Sequence, residues 1–299
     1  MNPLKIVYIA GYSRSGSTIL DILLGNSQGV YSTGELGYLP FDYHSNRLCS
    51  CGEKYGNCSF WKDLGYSVFE LKELVQIVKK IESRTNYRKL ANNDIEPKDL
   101  NKYKEYQRQL FTYISQKSSC STIIDSSKNA RDMAGRTLAL VKTGLFDLRV
   151  IHLTKSCEEV MLSYKNKGSN WALEGHGKNK PLRVQRAALG WKLANNIASD
   201  LQNSPGCRYI RLKYEDFIDD PMRTIQVISQ FIDHDLTDLS ENLAAGGDFK
   251  VSHNVGGNRL RLNQSIKLKK PSQTKIKLSL VDRITHNLIA SSTARQLGY

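Results

Sequence analysis

Residues 6–24, IVYIAGYSRSGSTILDILL, leave this chain few ways to fold. A run of β-formers enters a small-residue loop bounded by Gly11 and Gly16 and leaves as an apolar helix. Strand, loop and helix in that order put the free backbone N–H groups and the positive dipole end of the helix just beyond the carboxyl end of the strand, where an anion is held. The loop GYSRSGST keeps both glycines of the phosphate-binding pattern GxxxxGK[ST], Gly11 and Gly16, and its closing hydroxyl, Thr18. Ser17 stands where the pattern has lysine. That lysine reaches the β- and γ-phosphates of nucleoside triphosphates, so its replacement argues against ordinary ATP or GTP hydrolysis and for a shorter 5′ anion, with Arg14 supplying the charge. A strand-to-helix turn that binds nothing is the plainer reading of the same residues.

Strands and helices alternate through most of the remaining chain. Val30–Ser32 reads as a short second strand, after which an irregular segment presents Glu35 on the edge where α/β proteins gather ligands. STIIDSSKNARDM predicts a buried strand ending at Asp125, a polar turn carrying Lys128, and a helix from about Ala130 with Ser126, Ser127 and Asn129 as cap residues. LRVIHLTKSCEEVMLSY predicts a strand over 148–153, a turn carrying Lys155 and a helix that includes Ser163; His152, in mid-strand, reads as a satisfied core histidine. The glycine-rich GSNWALEGHGKNKP reads as a flap or an ordinary surface loop. Then come a long amphipathic helix with proline at its start, a strand ending near Leu212, a helix begun by an Asp-Pro pair, and a closing helix over about 279–296. Between the last two, SHNVGGNRLRLNQSIKLKK reads as a basic tail, either a solvated face or an anion clamp built on Arg259 and Arg261.

Such alternation predicts an α/β fold, a three-layer sandwich with a central mainly parallel sheet and a P-loop-like strand-loop-helix. Two segments interrupt it and form an insertion at about 40–118. HSNRLCSCGEKYGNCSFW places Cys49, Cys51 and Cys58 close together with His44 nearby, either as ordinary reduced thiols in a packed loop or as a metal site whose CxC spacing departs from the usual CxxC knuckle. Residues 68–117 then show apolar positions three and four apart, the mark of two helices, which either shape an acceptor pocket or form a plain structural cap. Their tyrosines, Tyr87, Tyr103, Tyr106 and Tyr113, read as packing and rim residues.

The chain's 299 residues suit one large domain spanning 1–299. An excess of Lys+Arg 43 over Asp+Glu 29, net +14, favours a polyanionic partner but does not choose among nucleotide, nucleic acid, glycan and anionic membrane. No nucleic-acid motif accompanies it. The N-terminal residues lack the apolar core and cleavage site of a signal peptide, and no apolar run approaches the roughly 20 residues of a membrane span, so a cytoplasmic protein without stable membrane insertion is expected. The six cysteines in a chain this long do not make a disulfide scaffold.

With these residues in view, the sequence resembles the sulfotransferases that use 3′-phosphoadenosine 5′-phosphosulfate (PAPS). RSGST is similar to that family's 5′-phosphosulfate loop, and VIHLTKSCEEVMLSY to its 3′-phosphate segment, with Lys155 where the family has arginine and Ser163 at the helical serine. RYIRLKYEDFIDDP resembles a later strand-turn segment, while CSCGEKYGNCSFW and HNVGGNRLR resemble the bacterial branch acting on carbohydrates and small molecules, whose terminal GNxxR would place Asn258 and Arg261 at the nucleotide. Gly34-Glu35 and Lys128 match, in order and context, the base and the lysine of the related tyrosylprotein branch. The resemblance thus implies PAPS as co-substrate, no required metal, and a small-molecule or carbohydrate acceptor. It implies Arg14, Glu35 and Lys128 as catalytic residues, and Arg14, Ser15, Gly16, Ser17, Thr18, Lys155, Ser163, Asn258 and Arg261 as nucleotide contacts. His44 and His253 stand in reserve as bases. Two competing readings remain: a P-loop kinase or NTPase with Asp125 as the Mg²⁺ acid, and a non-enzymatic polyanion binder.

Overall fold

A computed structural model describes residues 3–167, 181–270 and 277–299. The predicted flap over 168–180 lies outside the described residues. Five strands form one sheet in the order β2-β3-β1-β4-β5, and every neighbouring pair is parallel. They are β1 (Lys5–Gly11), β2 (Val30–Ser32), β3 (Thr122–Asp125), β4 (Asp147–Thr154) and β5 (Arg208–Lys213). Central β1 is buried on both faces, as a parallel strand with helices on either side must be. Its even residues Ile6, Tyr8 and Ala10 join one core and its odd residues Val7 and Ile9 another.

The even-side core is closed by α3 (Val68–Glu82), α5 (Pro97–Ser118) and α6 (Arg136–Thr143), together with the cysteine segment and Trp61. Short α2 (Leu39–His44) and α4 (Tyr87–Ala91) frame that layer. The helical insertion is therefore a structural face of the sheet: Ile77, Val78, Ile81, Leu110, Phe111 and Ile114 pack with Ile6, Tyr8 and Ile123. Its tyrosines pack as expected, Tyr103 donating to Glu82 (2.7 Å) from a fully buried position and Tyr113 donating to the Phe60 carbonyl.

On the odd side lie α1 (Ser17–Leu24), α9 (Tyr214–Asp219), α10 (Pro221–Ile232) and α11 (Thr237–Ala244). Asp220 caps α10 by accepting from Arg223 N–H at 3.0 Å, which is how the Asp-Pro pair starts that helix. A third cluster joins α7 (Cys157–Lys167), α8 (Arg183–Asp200), α12 (Leu280–Ile289) and α13 (Ser291–Gln296) around Trp191.

Three local expectations differ from the fold. The helix after Asp125 starts not at Ala130 but at Arg136, capped by Gly135, because Ser127 bonds Asp125 and Asn129 donates to Thr137 (3.0 Å) instead of capping. The closing helix is broken at Ala290 into α12 and α13. The basic "tail" is no tail: after the two-residue strand β6 (Phe249–Lys250), which pairs antiparallel with β7 (Ser265–Ile266), the chain runs back to the segment after β2, where Val255 bridges Gly34. Among the described residues, no helix is long and apolar enough to cross a membrane.

Candidate active site

The loop after β1 lies at the point where the sheet's winding reverses, between β3 on one side and β4 on the other. Its two glycines are there for close approach. A Cβ on Gly11 would sit 2.5 Å from the Leu153 carbonyl oxygen, and one on Gly16 2.2 Å from the Tyr214 ring, and both residues have positive φ, 126° and 86°. Helix α1 begins its own hydrogen bonding only with the Ile19 and Leu20 N–H groups, both to the Gly16 carbonyl, so the amides of Ser17 and Thr18 stand ahead of the ladder. Ser15 is buried and its hydroxyl has no hydrogen-bond partner. A buried orphan hydroxyl costs roughly 1–3 kcal/mol, which an anion in the loop would relieve. Arg14, at φ 74°, extends beside the Tyr164 ring of α7, 5.7 Å from its centroid, and burial draws its pKa below the ordinary guanidinium value.

One flank of the loop carries a carboxylate and an ammonium in contact. Lys128 pairs with Glu35, their side chains 6% and 17% exposed. Each is held by its backbone. Glu35 follows β2 in a three-residue extension in which Thr33 N–H bonds Ile124 O (3.1 Å), Ser126 N–H bonds Gly34 O (2.8 Å) and Glu35 N–H bonds Val255 O (2.7 Å). Lys128 sits at φ 67°, a conformation a residue with a Cβ adopts only when its surroundings enforce it. Here the enforcing contacts are Tyr8, whose hydroxyl donates to the Lys128 carbonyl, and Asn129 N–H, which bonds Gly11 O at 3.1 Å. The pair meets the loop at Gly257, where an added Cβ would lie 3.6 Å from the Thr18 hydroxyl and 3.7 Å from Glu35 Oε1.

The other flank is built on β4 and α7. Lys155 lies 4.2 Å above the centroid of the same Tyr214 ring that packs on Gly16, and pairs with Glu159 at 2.9 Å. Glu215 fixes the turn, accepting from Ser156 N–H (3.1 Å) and from the Tyr299 hydroxyl (2.9 Å). Ser163 is half-buried on α7, next to the Tyr164 that stacks by Arg14. Lys155 and the α7 residues thus lie on the loop's side of the molecule.

No family model matches the chain, and no curated protein matches it. Solved structures do, among them two that match over almost the full length of each partner. The sulfotransferase domain from the curacin biosynthetic pathway superposes with a TM-score of 0.53 at 19% identity, covering 97% of this chain and 99% of that one. The sulfotransferase domain from the Synechococcus PCC 7002 olefin synthase gives 0.50 at 20% identity, covering 100% and 96%. The fold is that of a sulfotransferase domain.

Within this sulfotransferase fold the remaining sequence candidates separate. Asn258 accepts from Leu260 N–H (3.1 Å), capping a single turn just after Gly257. Arg261 is buried and turned to the cysteine segment, donating to the Leu48 carbonyl at 3.4 Å, with its Nε unbonded. Asp125 is fully buried and engaged on both oxygens: Oδ2 accepts from Arg136 Nε (2.8 Å), and Oδ1 from the Ser127 amide (2.9 Å) and hydroxyl. Against the reserve bases, His44 is exposed at the end of α2, and His253 has its Nδ1 3.2 Å from Cys58 Sγ and 3.9 Å from Cys49 Sγ. His253, not His44, is the cysteines' neighbour, a contact across 195 residues that no local spacing signals. Tyr214 was also missed as a site residue, although its place in KYED at the end of a strand is a usable signal.

Proposed function

We propose that this protein transfers the sulfonate of PAPS to a hydroxyl or amine of a small-molecule, secondary-metabolite or carbohydrate acceptor, with residues 1–299 acting as one domain. The observation that carries the reading is the Glu35–Lys128 pair held against Thr18 at the mouth of a loop with an orphan buried hydroxyl. Ser15, Gly16, Ser17 and Thr18 hold the 5′-phosphate through hydroxyls and helix-end amides. Glu35 takes the acceptor proton as the new S–O or S–N bond forms. Lys128 and Arg14 neutralise the charge that collects on the sulfonate and on the phosphate oxygen that leaves with the electrons of the breaking S–O bond. The products are the sulfated acceptor and adenosine 3′,5′-bisphosphate (PAP).

Lys155 and Ser163 recognise the 3′-phosphate, the group that separates this donor from ATP. Lysine brings the charge without the bidentate fork of arginine. Arg261, bonded to Leu48, shapes the segment that carries Gly257 and Asn258 over Thr18. The acceptor approaches from the Glu35 side.

Thermal stabilisation by PAP, AMP, adenosine 5′-phosphosulfate and Mg-ATP tests the donor site. PAP is expected to stabilise most. Equal stabilisation by AMP would remove the 3′-phosphate assignment, and a larger effect of Mg-ATP would return the site to triphosphate chemistry. Labelled PAPS with a panel of acceptors then reads transfer directly.

A further inference from the structure

Cys49, Cys51, Cys58 and His253 offer four ligand atoms that all lie within 4.8 Å of one another. Cys51 Sγ is 3.7 Å from Cys58 Sγ, Cys58 Sγ is 3.2 Å from His253 Nδ1, and Cys49 Sγ is 3.9 Å from the same nitrogen. A tetrahedral zinc ion with Zn–S of about 2.3 Å and Zn–N of about 2.0–2.1 Å requires edges of about 3.8 Å between sulfurs and about 3.6 Å between sulfur and nitrogen. The two sulfur–nitrogen edges bracket their value, and the sulfur–sulfur edge of 3.7 Å falls just short of its own. They are too long for the alternative covalent explanation, since a disulfide places its sulfurs about 2.05 Å apart, and all six cysteines are free.

We infer that these four side chains form a structural Zn²⁺ site, closed by three thiolates and the Nδ1 of His253. The surroundings shape the turn and fix the imidazole. Gly52, at φ 89°, and the Gly52 N–H bond to Cys49 O (3.0 Å) turn the chain between the first two cysteines and the third. Trp61 Nε1 donates to the His253 carbonyl at 2.8 Å, and the imidazole stacks on Phe60 at 5.5 Å and 13°. Three sulfurs and one imidazole in a tetrahedron suit zinc by softness and geometry, and four protein ligands leave no open position for catalysis.

The site joins two stretches with little regular structure of their own. Ser50, between the first two cysteines, bonds the Ser252 carbonyl through its hydroxyl and receives Asn254 N–H at 2.7 Å. Two residues past His253, Val255 accepts from the Glu35 amide. The metal would therefore clamp the cysteine segment to the segment whose Val255 backs Glu35. The four ligands define this site whatever donor the phosphate loop takes.

Protein purified without chelator should contain about one zinc per chain by mass spectrometry. After chelation, Co²⁺ should restore the visible d–d absorption of a tetrahedral site together with thiolate charge transfer. Cys58→Ser and His253→Ala should each lose that spectrum and most of the metal, while Cys207→Ser keeps both. If either ligand variant fails to fold, native wild-type protein decides: three of its thiols should stay unreactive until chelator is added. Zinc well below one per chain, a featureless cobalt spectrum, or equal thiol reactivity with and without chelator would each overturn the assignment.

Discussion

Two carboxylate–cation clusters lie three residues apart along the same turn, and they differ in what they leave available. Behind β3, Arg136 pairs with both Asp125 (2.8 Å) and Glu82 (2.6 Å), every member is buried, and Tyr103 adds a hydrogen bond to Glu82. In front of β3, Lys128 pairs with Glu35 at the rim of the phosphate loop, where Glu35 keeps access to solvent. The rear cluster is closed to solvent, and it ties α3, α5 and α6 to the sheet. The front pair has a carboxylate partly open to solvent and a cation beside it. Sequence type alone does not separate them, because both read as an acid and a base near a strand end. Burial does.

The sharpest way to break this contrast is to cut each cluster once. Glu35→Gln should lower turnover by about 10² to 10⁴, the usual worth of a positioned general base, with PAP affinity and melting temperature close to wild type. Arg136→Met should do the reverse, costing about 3–5 kcal/mol of stability by stranding two buried carboxylates, with turnover per folded molecule unchanged. Activity assays and denaturant titrations on both variants check the pair. If Glu35→Gln unfolds the protein while keeping its specific activity, front and rear have been assigned the wrong way round.

A smaller effect is expected on the opposite flank. Lys155→Ala should weaken PAP by about 10- to 100-fold, as losing a charge-assisted hydrogen bond of roughly 1.5–3 kcal/mol implies, and leave AMP affinity unchanged. Calorimetry with both ligands reads this. Equal weakening of AMP would mean that Lys155 acts through Tyr214 on the loop instead of on the 3′-phosphate.

How much of the fold and site was legible in the sequence depends on how local each signal is. β3 ends at Asp125, as its apolar run predicts, because an interior parallel strand buries both faces and its composition shows it, while the edge strand β2 ends at Ser32 as read. The loop was legible because glycine spacing encodes backbone geometry directly. Glu35 and Lys128 were nameable, but their contact was not, since it spans 93 residues and depends on Lys128 adopting a positive φ under Tyr8. Asp125 looked like a metal-binding acid because nothing near it in the chain announces Arg136 as its partner. His253 was separated from the cysteines for the same reason. Both cases concern side chains whose partners arrive through the fold and leave no periodic trace.

The last expected effect tests the interior from the other end of the scale, through a neutral group instead of a paired one. His152 on β4 is fully buried, with Nε2 2.8 Å from Asn195 Oδ1 and Nδ1 2.7 Å from the Tyr209 hydroxyl. Asn195 Nδ2 donates to the Trp191 carbonyl at 2.7 Å, so its Oδ1 is an acceptor and the histidine proton belongs on Nε2, leaving Nδ1 to accept from Tyr209. Burial holds this imidazole neutral and draws its pKa down to about 4. In the unfolded chain the ring titrates near the ordinary value of about 6.5, so between those two values the unfolded state binds a proton that the folded state refuses. Stability should therefore be at its full value above about pH 6.5 and fall by up to about 1.4 kcal/mol per pH unit as pH drops through that window. His152→Gln should start from a lower baseline and show a shallower slope in denaturant midpoints measured from pH 7.5 to 4.5. Equal slopes in the two proteins would show that the acid sensitivity arises at the exposed carboxylates, and that the core around β4 tolerates a charged imidazole.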